Sequence, residues 1–276
     1  MEVKRSLRVK FIRSCDNSGS MKTVKLYGYA TSPYVRKVGC FLYYKSIEFE
    51  HVPVNPVNPA ETIGHTKGTQ VPVLEINREY RRESSDLAFW LDEVFPEKPL
   101  CPAEHRDKIQ EIDAWISETF LISIFRSAID SELDLNMRFR AWRLAALVSA
   151  HTPLPEHIRN KWPDLLKVAP FIQAMGKHMD LTESAKDMNM RIGMELIGHI
   201  GDGPYMGELD TPTMLDLAVF PQLVWGYMFG LEKHLSAARS PVIKAWMRRV
   251  SEHLPANPTL VLDEMMVNRL APALRD

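Results

Sequence analysis

The stretch Tyr27-Gly-Tyr-Ala-Thr-Ser-Pro-Tyr-Val-Arg-Lys-Val38 predicts the turn from a strand into a helix on which the fold depends. Residues 23–27 alternate in polarity before the turn, and apolar residues recur after it at helical spacing, at Val35, Val38 and Leu42. Pro33 suits the first position of a helix because its φ is fixed, and Ser32 before it is a natural N-cap. Since a helix N-terminus attracts anions, Ser32 is where this chain would hold a thiolate.

The composition is typical of a soluble globular protein, with 276 residues of which 45% are hydrophobic and 25% charged. A formal net charge of −1 provides no electrostatic basis for binding nucleic acid or an anionic membrane, so neither is expected as a partner. The cysteines Cys15, Cys40 and Cys101 form no C-x-x-C pair, which favours a reducing compartment and predicts a cytoplasmic protein. The nine histidines show no paired ligand spacing, so no metal site is predicted.

The chain divides into three segments by pattern. Residues 1–22 form a leader that is basic over residues 1–20, where five Lys or Arg stand against two acidic residues. We interpret it as a disordered tail or an extension from an upstream start rather than a transit peptide. Residues 23–98 are mixed α/β. Prolines at 99 and 102 then mark a linker into a helical segment over residues 99–276.

The periodicities predict an α+β domain followed by an all-α domain. Residues 23–96 show the order β-α-β-α-β-β-α, and the last two strands, near residues 71–76 and 80–82, are close enough for an antiparallel hairpin. Later helices are predicted at residues 103–129, 137–150, 182–200, 213–230 and 241–254. The segment 214–231 is apolar nearly all round, but Asp216 and Pro221 favour a buried core helix over a membrane span.

A second motif, Gln70-Val71-Pro72-Val73, opens the predicted hairpin. A cis bond before Pro72 would leave the backbone N–H and C=O of Val71 free to pair with a peptide-like ligand. Propensity alone favours an edge strand with a trans proline. Both interpretations are open at this point.

A third motif, residues 82–87 with the sequence Arg-Glu-Ser-Ser-Asp-Leu, precedes a predicted helix. Acidic and hydroxyl residues at this place commonly cap the helix. Alternatively, Glu83 and Ser84 hold the ammonium and carboxylate groups of an amino-acid-like ligand.

Together with a fourth motif, these residues resemble the cytosolic glutathione S-transferase family, of the Ser type. The matches are S-P-Y-x-x-K at 32–37, V-P-x-L at 71–74, E-S-x-x-L-x-x-W-L at 83–91, and a capping box with its core helix at 207–223. The resemblance spans about residues 23–254. It implies a thioredoxin-like domain (βαβ-ββα) and a helical-bundle domain. It also implies a homodimeric transferase that activates the thiol of its co-substrate glutathione for attack on a small hydrophobic electrophile held between the domains.

The resemblance also implies roles for the motif residues. Ser32 falls where Ser-type members hydrogen-bond the glutathione sulfur, and Tyr29 is a rival because Tyr-type members activate the thiol from just after the first strand. Glutathione itself is expected to contact Gln70, Val71, Pro72, Glu83 and Ser84, with Lys67 as a further candidate for the glycyl carboxylate.

Three features depart from the family pattern. Asp86 stands where a small residue is usual, the hairpin loop at 77–79 lacks its usual glycine, and the helical half is longer than typical around residues 131–179. The third feature suggests an enlarged substrate cleft lined by Trp115, Phe125, Trp142 and Tyr227, although such aromatics commonly belong to the core. A non-catalytic binding or assembly module with the same fold is therefore the alternative.

Overall fold

A four-stranded mixed sheet organises the N-terminal half of the protein. The computed structural model describes residues 22–29, 32–56, 58–129, 156–157, 160–161, 182–228 and 239–254. The strands β1 (Val24–Gly28), β2 (Glu50–Pro53), β3 (Val73–Ile76) and β4 (Glu79–Arg81) are arranged in the order β2-β1-β3-β4. β1 is parallel to β2 and antiparallel to β3, which in turn pairs antiparallel with β4. The predicted βαβ-ββα order and its hairpin are confirmed.

Helices pack on this sheet and build the second half. In the first half they are α1 (Pro33–Tyr44), α2 (Ala60–Ile63) and α3 (Asp86–Val94). In the second half α4 (Arg106–Trp115) continues through a π-turn (Ile116–Phe120) into α5 (Leu121–Ile129), and α6 (Ala185–Ile200), α7 (Met214–Met228) and α8 (Pro241–Glu252) follow. The helices predicted at 103–129, 182–200, 213–230 and 241–254 are confirmed to within three residues, whereas the one at 137–150 lies outside the described residues.

α1 is the helix that joins the two halves. It packs against β1 and α3 of its own half and against α7 of the helical half. All of its residues except Tyr34 are therefore buried, including the basic side chains of Arg36 and Lys37. Buried charges are costly unless they are paired, so their surroundings decide what they do.

The start of α7 is built around Asp216. Its carboxylate accepts hydrogen bonds from the backbone N–H of Met206 at 2.9 Å, the backbone N–H of Thr213 at 2.9 Å and the indole N–H of Trp246 at 2.7 Å. The hydroxyl of Thr213 accepts from the N–H of Leu215 at 3.4 Å. Of the two reciprocal bonds expected from a Thr213–Asp216 capping box, the one from the Thr213 N–H is present. The Thr213 hydroxyl also donates to Oδ2 of Asp216 at 3.5 Å.

α7 is the buried core helix that the sequence predicts. Leu215, Leu217 and Val219 are fully buried, and the helix contacts α1, α4, α5 and α8. Its nearly continuous apolar surface is explained by these neighbours on several sides. Over the ranges that the structure describes, no helix is both long and apolar enough to cross a membrane.

Candidate functional site

Ser32 lies at the N-cap of α1, as predicted. Its Oγ accepts a hydrogen bond from the N–H of Val35 at 3.4 Å, and its own N–H donates to the carbonyl oxygen of Tyr29 at 2.9 Å. The capping bond uses a lone pair of the oxygen, so the hydroxyl proton stays available to a ligand. Ser32 is only 4% exposed. An anion held there would therefore be shielded from water.

Gly28 lets the end of β1 approach the first turn of α1. A β-carbon at Gly28 would lie 2.2 Å from Cγ2 of Val35, a distance that no side chain tolerates. The carbonyl oxygen of Gly28 accepts from the N–H of Val54 at 3.2 Å and lies 3.1 Å from Nε2 of His51. The start of α1 is thereby fixed against the carboxyl ends of β1 and β2.

The peptide bond between Val71 and Pro72 is cis, so the interpretation as an edge strand with a trans proline is wrong. The antiparallel register pairs Tyr27 with Val73. Continued by two residues, this register brings Val71 and Pro72 beside the segment that leads from β1 to Ser32. Val71 is half-buried, and its backbone N–H and C=O form no hydrogen bond with any other described residue.

Glu83 and Ser84 connect β4 to α3. The N-cap of α3 is Ser85, whose side chain forms no capping bond, so the interpretation of this motif as a helix cap is wrong. Glu83 has a φ of 53°, in the left-handed region that a residue with a β-carbon disfavours. Within the described part of the chain, neither the Glu83 nor the Ser84 side chain forms a hydrogen bond.

Tyr34 shows that this connection lies near the first turn of α1. Burial, and then the charge of Glu83, raise the pKa of the Tyr34 phenol. Lys37, one residue beyond the first turn, donates to Oγ of Ser85 at 2.9 Å and to Oδ1 of Asp113 at 3.0 Å. Ser85, the residue after Ser84, is therefore tied to α1, and through Lys37 to Asp113 of the helical half.

Lys67 and Gln70 are exposed on the loop that precedes Val71. Arg82 anchors this loop, because its Nη2 donates to both the carbonyl oxygen and Oγ1 of Thr66. The role of Arg82, the first residue of the third motif, could not be predicted from the sequence. A basic residue next to Glu83 in the sequence does not indicate that its side chain binds the loop at Thr66.

Tyr29 is half-buried just after β1, and burial raises the pKa of its phenol. The phenol is therefore protonated at neutral pH and is able to donate a hydrogen bond but not to accept a proton. Tyr29 and Ser32 belong to the same turn. That Ser32 rather than Tyr29 contacts a bound sulfur stays a prediction.

The aromatic residues suggested for an enlarged cleft have other surroundings where they are described. The indole N–H of Trp115 donates to Oε2 of Glu195 at 2.8 Å, and its ring centroid lies 4.3 Å from that of His199. Tyr227 is buried in the core. The side chain of Phe125 and all of Trp142 lie outside the described residues. No group of His, Cys, Asp or Glu in the described ranges is arranged to hold a metal ion.

Comparisons with known proteins agree with this geometry. Residues 26–99 match the family model of the glutathione S-transferase N-terminal domain. Among solved structures, a delta-class glutathione transferase of Nilaparvata lugens has a TM-score of 0.58 at 15% identity, covering 91% of this chain and 98% of that one. Glutathione transferase Omega 3C of Trametes versicolor has a TM-score of 0.55 at 16% identity, covering 91% and 90%. Beta-etherase LigF of Sphingobium sp. strain SYK-6 has a TM-score of 0.54 at 21% identity, covering 89% and 99%.

At these identities the structural matches show a shared fold. No curated protein sequence matches the chain. The fold is that of a thioredoxin-like domain followed by a helical domain, and the family match covers most of the sheet together with three of the four motifs. Residues 26–99 are therefore a glutathione S-transferase N-terminal domain, and the fold as a whole is shared with glutathione transferases. The resemblance inferred from the motifs is confirmed.

Proposed function

We propose that the protein binds glutathione across the end of the sheet and activates its thiol for attack on a small hydrophobic electrophile. The observation that carries this proposal is a convergence of polar groups without hydrogen-bond partners among the described residues. They are the backbone of Val71 and the side chain of Ser84, both half-buried, together with the exposed side chain of Glu83. Polar groups that are withdrawn from water normally have partners, so a polar ligand is the fitting occupant.

Each of these groups suits one part of the tripeptide. The N–H and C=O of Val71 suit the peptide group of the central cysteine, as an added strand would use them. Glu83 and Ser84 suit the ammonium and carboxylate groups of the γ-glutamyl end. Gln70, beside Val71 and Pro72, and Lys67 on the same exposed loop suit the glycyl carboxylate.

Glutathione supplies the nucleophilic sulfur in this mechanism. Ser32 donates its hydroxyl hydrogen to that sulfur, and the positive N-terminal end of the α1 dipole adds to the field there, so the thiolate is favoured over the thiol. The thiol proton leaves to solvent because Ser32 keeps its own proton. Ser32 then holds the sulfur while the new carbon–sulfur bond forms and the leaving group departs with its bonding pair.

We further expect a cytoplasmic homodimer that transfers an alkyl or aryl group to the sulfur. These expectations rest on the family resemblance and on the absence of a C-x-x-C pair from the sequence. Light scattering during gel filtration tests the dimer, and a single monomeric peak at micromolar protein would contradict it.

Calorimetry with glutathione, followed by steady-state assays with a broad-spectrum aryl electrophile, tests the proposal. We expect binding, and on the order of a hundredfold lower turnover for Ser32→Ala, since that is the usual loss when one donor to a reacting anion is removed. Tyr29→Phe is expected to stay near wild type. Undiminished rates in both variants would contradict the assigned roles. Absence of binding would refute the proposal, and binding without turnover on any electrophile would favour the non-catalytic module.

A further inference from the structure

Arg36 is a buried cation that the proposed mechanism does not use. It is 1% exposed, and its pKa is lowered to about 9 by burial. Its Nη2 donates to Oε1 of Gln222 at 3.2 Å, and its guanidinium carbon lies 4.4 Å from the ring centroid of Trp225. Over the described ranges, no salt bridge joins Arg36 to a carboxylate, and its Nε and Nη1 form no hydrogen bond.

The local structure of α1 provides no reason for this charge. Arg36 is the fourth residue of the helix, and a cation in a first turn is unfavourable because the helix dipole is already positive there. Its neighbour Lys37 is equally buried but is paired with Asp113 at 3.0 Å. The two adjacent cations therefore have different surroundings. Lys37 has an anion in the protein, and Arg36 has none among the described residues.

The guanidinium of Arg36 lies close to the start of the helix. Helical side chains lean toward the helix N-terminus, which directs Arg36 toward Ser32, four residues earlier. The contacts of Gln222 also place the guanidinium near the first turn of α1. The Oε1 of Gln222 accepts a hydrogen bond from Arg36, and its Nε2 donates to the carbonyl oxygen of Pro33 at 3.1 Å. A single amide group thus separates the guanidinium from the residue that follows Ser32.

We propose that the Arg36 guanidinium is the buried counter-charge of the glutathione thiolate held at Ser32. This inference rests on the proposed function. Arg36 is a positioning residue that acts through its field, since nothing places it in contact with the sulfur. The groups that contact it from α7, Gln222 and Trp225, carry no charge, and Cys40 on α1 is the titratable group that acts on it. On the sulfur side the titratable groups are Tyr29, Tyr34 and Glu83.

The expected size of the effect follows from Coulomb's law. At roughly 10 Å and an effective dielectric constant of about 20, a unit charge changes the fraction of thiolate at fixed pH on the order of tenfold. Removing the charge should lower that fraction by this factor. Replacing it with another cation should restore much of it.

The experiment compares Arg36→Met and Arg36→Lys with the wild-type protein and with Lys244→Met. Lys244 takes the same position, four residues after the serine cap, in α8, where it is half-exposed and remote from Ser32 in the chain. Calorimetry with glutathione and with S-methylglutathione, which has no ionisable thiol, measures binding. The ultraviolet band of the bound thiolate, followed against pH, measures ionisation.

We expect Arg36→Met to shift the ionisation of bound glutathione upward by about one pH unit, Arg36→Lys to recover most of it, and Lys244→Met to leave it unchanged. S-methylglutathione should bind all four proteins alike. Arg36→Met should fold, because an apolar side chain in place of an unpaired buried charge is neutral or stabilising. If Arg36→Met is instead destabilised with the thiol ionisation unchanged, Arg36 balances a carboxylate of the protein and the inference is overturned.

Failure of the inference is distinct from failure of the proposed function. If the wild-type protein binds neither ligand, glutathione is not its substrate. If wild type and Arg36→Met bind both ligands with the same thiol ionisation, glutathione binding stands and only the role of Arg36 is rejected.

Discussion

α1 and α8 begin with the same local structure in different surroundings. Both start with Ser-Pro, at Ser32-Pro33 and Ser240-Pro241, and the two N-cap residues have nearly equal φ and ψ, −70° and 125° against −66° and 127°. Both serines cap the third residue of the helix, at 3.4 Å and 3.5 Å. Ser32 is buried at the end of the sheet, whereas Ser240 is half-exposed in the helical half. The same cap begins both helices, and only the burial of Ser32 at the end of the sheet distinguishes it as a candidate site.

The two helices are also held in place by different interactions. α1 is bound to the helical half through the buried ion pair of Lys37 with Asp113. α8 is bound through the indole of Trp246, which donates to the buried carboxylate of Asp216. Each interaction joins one of the Ser-Pro helices to the rest of the core, and their different chemistry predicts different responses to mutation and to pH.

Lys37→Met should have the largest effect, lowering the free energy of unfolding by roughly 4 kcal/mol. Removing one member of a buried ion pair leaves the other charge buried without a partner. The burial of Asp113 at 8% exposure prevents water from replacing the lysine. Urea denaturation at neutral pH measures the loss.

The double variant Lys37→Met with Asp113→Leu separates pairing from packing. It should regain most of the lost stability, since no unpaired charge is left. On α8, Lys244→Met should change the free energy of unfolding by less than about 0.5 kcal/mol because this lysine is half-exposed. A double variant as unstable as Lys37→Met alone would show that the ion pair is not the cause.

The interaction that holds α8 should instead respond to pH. Burial raises the pKa of Asp216 from 3.8 to about 6, although the three N–H groups that it accepts from lower it. The folded state therefore holds this proton more tightly than the unfolded chain. The stability from Asp216 is fully present below about pH 4 and is lost as the pH rises to about 6, by up to about 3 kcal/mol.

Asp216→Asn, which does not titrate, provides the reference for this measurement. The difference in unfolding free energy between wild type and Asp216→Asn should fall between about pH 4 and about pH 7. The exposed Asp210, changed to Asn, is the control and should show no such slope. A difference that is constant with pH, or that grows as the pH rises, would contradict the assigned protonation.

The local part of this comparison could be predicted from the sequence. The Ser32-Pro33 cap, the helix after it and the hairpin depend on residues within one or two turns, where propensity and periodicity act. The burial of Arg36 and Lys37 could not, because two adjacent basic residues on a helix indicate a solvated face. Only the packing of α1 between the sheet and α7 buries both.

The candidate site also contains some features that the local sequence predicts and others that depend on distant contacts or on the family resemblance. Glu83 and Ser84 could be assigned to a ligand only through the family resemblance, because their residue types alone favour a helix cap. The hairpin loop without glycine is a local departure, since Asn77 and Arg78 both adopt positive φ, 51° and 69°, and Asn tolerates this better than Arg. The anchoring of the Thr66 loop by Arg82 spans sixteen residues and has no sequence signal.

Ser32→Ala and Ser240→Ala should each lower the free energy of unfolding by only about 1 kcal/mol or less, but they should differ in their effect on bound glutathione. Their capping bonds are equally long, so the lost capping energy should be nearly the same. Only Ser32 lies where a bound sulfur would receive its hydroxyl hydrogen, so only Ser32→Ala should reduce the thiolate fraction of bound glutathione. Paired urea denaturation and thiolate absorbance measure both quantities. Equal losses of thiolate in the two variants would mean that the effect comes from helix stability, and an unchanged thiolate fraction in both would direct attention to Tyr29.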